Sequence, residues 1–126
     1  MRVPIDDRVR RWFDQARIDL DLAEEVGDRY AHQACLHAQR AADKGLKAVL
    51  TRLSGDAVPT HELERLLVAC DALGKGPGDD VRTRARSLDK FYIPTRYPDA
   101  LASARSVLAW CERAIAVARA ADPDPP

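Results

Sequence analysis

The chain has 126 residues, which suits one domain and is long enough to bury an ordinary apolar core without cross-links. Lysine plus arginine balances aspartate plus glutamate at 20 each, which excludes a strong overall field toward nucleic acid or membrane. A composition 46% hydrophobic and 32% charged excludes a disordered chain. No run approaches the ~18 apolar residues of a membrane span, and the charged start MRVPIDDRVRR lacks the apolar stretch of a signal peptide. A soluble, cytoplasmic protein without membrane association is the expectation. Cys35, Cys70 and Cys111 are odd in number, far apart and set among Ala, Leu and Val. They are expected to be buried free thiols rather than metal ligands or disulfides.

The first helix is expected from Asp6 to Val26, with Asp6 as its cap. Val9, Trp12, Phe13, Ala16, Leu20 and Ala23 recur at spacings of three and four and form one apolar stripe. Gly27 ends it. Asp28 is the candidate cap of a second helix running to about Leu53. Its inner face is small: Ala31, Ala34, Cys35, Ala38, Ala42 and Gly45. Glycine inside a helix costs ~1 kcal/mol relative to alanine, so Gly45 points to close approach by another helix. Asp43 and Lys47 read as an i,i+4 pair of the better orientation, worth a few tenths of a kcal/mol.

Residues 54–59 form a loop, after which Thr60 is expected to cap a third helix with Leu63, Leu66, Leu67, Cys70 and Leu73 inward. Gly74-Lys-Gly-Pro-Gly78 breaks the chain and reads as mobile. A fourth helix is expected from Asp79 to Lys90, with Val81, Ala85 and Leu88 inward. Pro94 and Pro98 forbid helix across the next stretch, and Pro98 suits the start of a fifth. In the fifth helix Leu101, Ala104, Leu108, Cys111, Ile115 and Ala118 form one strip, and Val107, Trp110, Ala114 and Val117 a second. Such a helix is central in a bundle or lies in a dimer interface. With no period-two strands the fold class is all-α, one domain over residues 1–121 with a disordered tail at 122–126.

Charge is uneven locally. Residues 82–105 carry a surplus of four positive charges, including Arg84, Arg86, Lys90 and Arg96, with Tyr97 among them. Residues 54–80 are acidic by the same margin. Guanidinium groups beside aromatic rings suit phosphate contact and base stacking, so Arg84, Arg86, Lys90, Arg96 and Tyr97 are the candidate nucleotide- or RNA-binding residues. The alternative is that these cations balance the acidic stretch. Arg96 lies between two prolines at a helix start, where free amides favour an anion. Alternatively it braces an acid on another helix, and Tyr97 fills the core. A metal site is not expected: His32 and His37 are five apart on a helix and diverge, and His61 follows a cap. No cofactor-binding loop is present in the sequence.

The run His37-Ala-Gln-Arg-Ala-Ala-Asp-Lys-Gly-Leu-Lys-Ala-Val-Leu50 resembles the second-helix signature of HEPN domains. Thr60-His-Glu-Leu63 resembles the start of that family's next helix, and Arg96-Tyr-Pro98 its Arg-Tyr-Pro turn. The resemblance implies an up-and-down four-helix bundle with a short additional helix, usually a homodimer. It also implies a small nucleotidyltransferase as partner, in some cases as toxin and antitoxin. Many members are metal-independent ribonucleases marked by an Arg followed after four to six residues by a His. No Arg–His pair in this sequence has that spacing.

Three readings are open to such a chain. The first is a nucleotide- or RNA-binding subunit paired with a nucleotidyltransferase. The second is a ribonuclease toxin of atypical constellation, with Arg96 on the phosphate and Tyr97 or His61 as proton carrier; a group near neutral pKa favours His61. The third is a structural helical adaptor without a ligand.

Overall fold

The computed structural model describes residues 3–90 and 97–121, and all its regular structure there is helical. Five α-helices follow one another: α1 (Ile5–Val26), α2 (Ala31–Ser54), α3 (Leu63–Ala72), α4 (Asp79–Leu88) and α5 (Tyr97–Ala121). A one-turn 3-10 helix, Gly27–Tyr30, joins α1 to α2. The tail expected at 122–126 lies outside the described residues. Among the described residues no helix is long and apolar enough to cross a membrane.

The helix directions follow from side-chain pairings. Asp6 meets Arg52, and Asp19 meets Lys44, so α1 and α2 run antiparallel. Arg17 meets Glu112, and Arg105 meets Glu24, so α1 and α5 are antiparallel too. It follows that α2 and α5 run the same way. Residues 55–62 climb back along α2 to the level of Asp43, where His61 lies beside that residue. α3 and α4 then form a short antiparallel hairpin, tied by Arg82 on Asp71 and Arg86 on Glu64. Thus α1, α2, α4 and α5 make the up-and-down bundle, and α3 is the short addition.

The stripes close the core as their periodicity dictates. Cys35, Ala38, Ala42, Leu46, Val49 and Leu50 of α2 pack with Leu63, Leu66, Leu67 and Cys70 of α3 and with Ala104, Val107 and Cys111 of α5. The three cysteines are buried free thiols. Gly45 allows the contact of α2 with α5: a Cβ there would lie 2.5 Å from Cδ2 of Leu108 and 3.3 Å from Sγ of Cys111. The small face of α2 is therefore filled within the chain. Of the outer strip of α5, Val107 is buried, Trp110 and Ala114 are half-buried, and Val117 is exposed.

Helix ends differ from the expectations. α1 begins after Pro4 with no side-chain cap, and Asp6 instead pairs with Arg52 and Arg119. The residues after Gly27 coil into the 3-10 turn, so Asp28 does not cap α2. Thr60 Oγ1 accepts the nearby Glu62 N–H, ahead of α3, which starts at Leu63. Leu73 falls beyond the end of α3 and is exposed. The Gly74–Gly78 stretch is pinned: Arg82 donates to the Pro77 carbonyl while holding Asp71.

Candidate functional site

Most of the inner face of α2 is alanine, yet it buries charge. Asp43 and Lys47 sit one turn apart, and both are almost fully buried. The i,i+4 pair expected from their spacing forms, and it is an interior one. Asp43 Oδ1 is 2.9 Å from Lys47 Nζ, close enough for ion pairing but not aligned as a hydrogen bond. The Lys47 ammonium also lies 5.5 Å from the centroid of the Trp12 ring on α1, a cation–π contact.

The second oxygen of Asp43, Oδ2, lies 3.0 Å from Nδ1 of His61. Lys47 Nζ lies 3.3 Å from the same nitrogen, so Nδ1 faces both members of the interior pair, one an acceptor and the other a donor. The His61 side chain is 87% exposed, although its partner is interior. It stands at the rim of a pocket of about 280 Å³ whose other walls are Leu36, Gln39, Arg40 and Asp43. The return of the chain after α2 is what brings His61 there. Gln39 Nε2 donates to the His61 carbonyl at 2.9 Å and lies 3.5 Å from Asp89 Oδ1. Asp89, just past α4, accepts the N–H groups of Leu63 and Glu64 at 3.3 and 3.4 Å. It thereby caps α3 from another helix. Gln39, Asp43 and Asp89 together fix the backbone and ring of His61.

A second interior carboxylate braces α1 to α2. Asp19 receives Lys44 Nζ at 2.6 Å and faces His37 Nδ1 at 3.2 Å.

The basic residues expected to bind nucleotide are mostly engaged elsewhere. Arg86 grips Glu64 with two hydrogen bonds of 2.6 and 3.2 Å, which hold the Glu64 carboxyl below the usual carboxylate range. Arg84 lies 3.6 Å from Asp80. The neighbouring Arg82 is fork-bound to Asp71 at 2.9 and 2.6 Å. The basic helix α4 thus directs three arginines at nearby acids. Lys90 is exposed and follows the capping Asp89. Tyr97 is half-buried against the core, with its hydroxyl 3.2 Å from where a Gly27 Cβ would be. Gly27 has φ +40°, so a side chain there would be strained as well as crowded by that ring. Arg96 lies outside the described residues. No metal-binding cluster occurs among the described residues.

Sequence reasoning missed Gln39, Arg40, Asp43 and Asp89. Gln39, Arg40 and Asp43 had a signal: polar residues on a helix otherwise reading as small and apolar. Asp89 had none, because its partners are 25 and 26 residues away.

The HEPN domain family model matches residues 9–121. Among solved structures, TT1696 from Thermus thermophilus is 32% identical, with a TM-score of 0.57 over 90% of this chain and 97% of that one. ST0689, described as an archaeal HEPN homologue, is 26% identical, with a TM-score of 0.56 over 90% of this chain and 96% of that one. Comparison with curated proteins gives no match. The family model spans nearly the whole bundle, including the His61 site, and the chain belongs to the HEPN domain family.

Proposed function

We propose that this HEPN protein is a nucleotide- or RNA-binding subunit that works as a homodimer beside a small nucleotidyltransferase, in a toxin–antitoxin-like pair. The observation that carries the reading is His61: an exposed imidazole, oriented by an interior carboxylate, on a pocket with Gln39 and Arg40. An imidazole, an amide and a guanidinium suit the edge of a base and a phosphate. Lys90, exposed just after Asp89, joins this surface, and Arg96 and Tyr97 are assigned to it on the sequence alone. Arg84 and Arg86 complete it, with Arg86 exchanging Glu64 for a phosphate on binding. Support for self-association comes from Ile18 and Leu22, exposed and four apart on one face of α1.

The test is co-purification with the neighbouring gene product, mass spectrometry of bound nucleotide, and fluorescence anisotropy with a labelled single-stranded RNA. His61→Ala and Arg96→Ala are expected to weaken RNA binding while the helical circular-dichroism signal is kept. Arg96→Lys should restore only part, since lysine keeps the charge and loses the planar fork. Affinity should also fall with salt.

The second reading, a ribonuclease with His61 as proton carrier, is favoured by the Asp43–His61 contact, since an aspartate that orients an imidazole suits general acid–base work. Cleavage of RNA in the presence of a chelator, lost in His61→Ala, would choose it. Absence of both binding and cleavage would leave the structural adaptor.

A further inference from the structure

A larger cleft lies at the opposite end of α2, beside Arg52 and Leu53. Arg52 is nine residues from Asp43, about 14 Å along the helix axis at the usual rise. The cleft therefore stands apart from the His61 pocket and does not rest on the reading given above for that site.

Its volume is about 490 Å³, a size suited to a small organic ligand. One wall is the outer strip of α5: the Trp110 indole, then the smooth run of Ala114, Val117 and Ala118. The facing wall is the glycine-rich stretch at Gly74, Lys75 and Gly76. That stretch is held in place. The N–H groups of Gly74 and Lys75 donate to Asp71 and Cys70 carbonyls at 2.8 and 3.1 Å, and Arg82 clamps both Asp71 and the Pro77 carbonyl. The cleft is thus preformed rather than assembled on binding.

Its charge is one-sided. Arg52, Lys75 and Arg113 line it, and among the described residues no carboxylate does. Arg52 is engaged by Asp6 at 3.3 Å. Lys75 and Arg113 make no ion pair among the described residues. By contrast, the groove between α1 and α5 mixes Asp6, Asp14 and Glu112 with its arginines. An aromatic side chain, a small-residue wall and two cations with no counter-ion among the described residues select one chemistry.

We infer that this cleft binds a small amphiphilic anion, a flat aromatic body carrying one carboxylate, sulfonate or phosphate. The body lies along Trp110 and Val117, and the head group is held by Arg113 and Lys75 through charge-assisted hydrogen bonds.

The probe is 8-anilinonaphthalene-1-sulfonate, titrated into the full chain at low salt and followed by its fluorescence and by energy transfer from tryptophan. One molecule per chain is expected, with energy transfer reduced in Trp110→Phe. Arg113→Glu and Lys75→Glu should each weaken binding roughly tenfold or more, since a contact to a charged group is lost and repulsion replaces it. Arg113 is exposed, so its substitution should leave the melting temperature unchanged. The neutral analogue N-phenyl-1-naphthylamine should bind at least tenfold more weakly than the sulfonate, about 1.4 kcal/mol. Unchanged binding by Arg113→Glu, or equal binding of the neutral analogue, would overturn the assignment. So would exclusion of the probe as protein concentration rises, which would give the cleft to a second copy. A gain beyond tenfold on neutralising Asp122 and Asp124 would give it to the chain's own acidic end and would overturn the assignment equally.

Discussion

The carboxylate of Asp43, 4% exposed, sits 3.0 Å from Nδ1 of His61, 87% exposed. An interior charge thus sets the orientation of a surface group, and the two residues should respond to substitution in opposite ways. Asp43→Asn strips the buried Lys47 ammonium of its counter-charge. Breaking a buried pair typically costs roughly 3–5 kcal/mol, and denaturant titration should show a loss of that order. His61→Ala should cost under about 1 kcal/mol, as for a solvent-exposed polar contact, and act on ligand binding instead. A large stability loss in His61→Ala with unchanged binding would reverse the assignment of roles.

Gly45→Leu should destabilise despite the better helix propensity of leucine. The first added carbon already meets Leu108 Cδ2 at 2.5 Å. Overpacking of this kind costs about 1–3 kcal/mol, against a propensity gain of ~1. A lowered melting temperature is expected; an unchanged or raised one would refute the tight contact of α2 with α5.

The thiols should be silent in the folded protein. Burial pushes Cys70 up to about 11 and raises Cys35 and Cys111 above their ordinary value of 9.0. The thiolate is the reactive form, so Ellman's reagent at pH 8 should find no reactive thiol until denaturant exposes all three. For pH the sign follows from the raised values. The unfolded thiols ionise first, so this stabilising contribution is whole below about pH 9 and is lost as pH rises through about 11. Stability measured between those values should fall, and Cys70→Ala should flatten the decline.

At the acid end Glu64 should matter. Its folded pKa is lowered, chiefly by the Arg86 hydrogen bonds. Its contribution is therefore present above the ordinary glutamate range and is lost as pH falls through the lowered value. The pair is solvent-exposed, so the effect is small and should shrink with salt. Glu64→Gln should remove the acid-limb change without altering the neutral-to-basic profile.

Three helices were legible because their signal is carried by many residues at once. The stripe from Val9 to Ala23, the small face from Ala34 to Gly45 and the strip from Leu101 to Cys111 each repeat a pattern that only a helix buries. Gly45 was legible for the opposite reason, as one residue too costly to occur there without a close neighbour. Caps were not. Asp6, Asp28 and Thr60 all have suitable side chains in suitable places, but Asp6 is drawn to Arg52 and Arg119, and α3 takes its cap from Asp89. Local preference worth about 1 kcal/mol yields to such tertiary partners. The opposite charge of residues 54–80 and 82–105 showed that the segments attract, yet not that Arg82 takes Asp71 and Arg86 takes Glu64. The His61 site was hidden for the same reason: its partners are 18 and 22 residues upstream, and nothing local specifies that distance.

The cap that Asp89 places on α3 also sets an order of events. α3 has ten residues, shorter than the ~12–15 at which an isolated helix becomes even marginal in water. When residues 63–72 leave the ribosome, the carboxylate that will satisfy their first amides has not been synthesised, and neither have the arginines of α4. The α1–α2 pair, with its short connection and its own ion pairs, has everything it needs by Ser54. α3 must wait for α4, and the two should form together as one late unit.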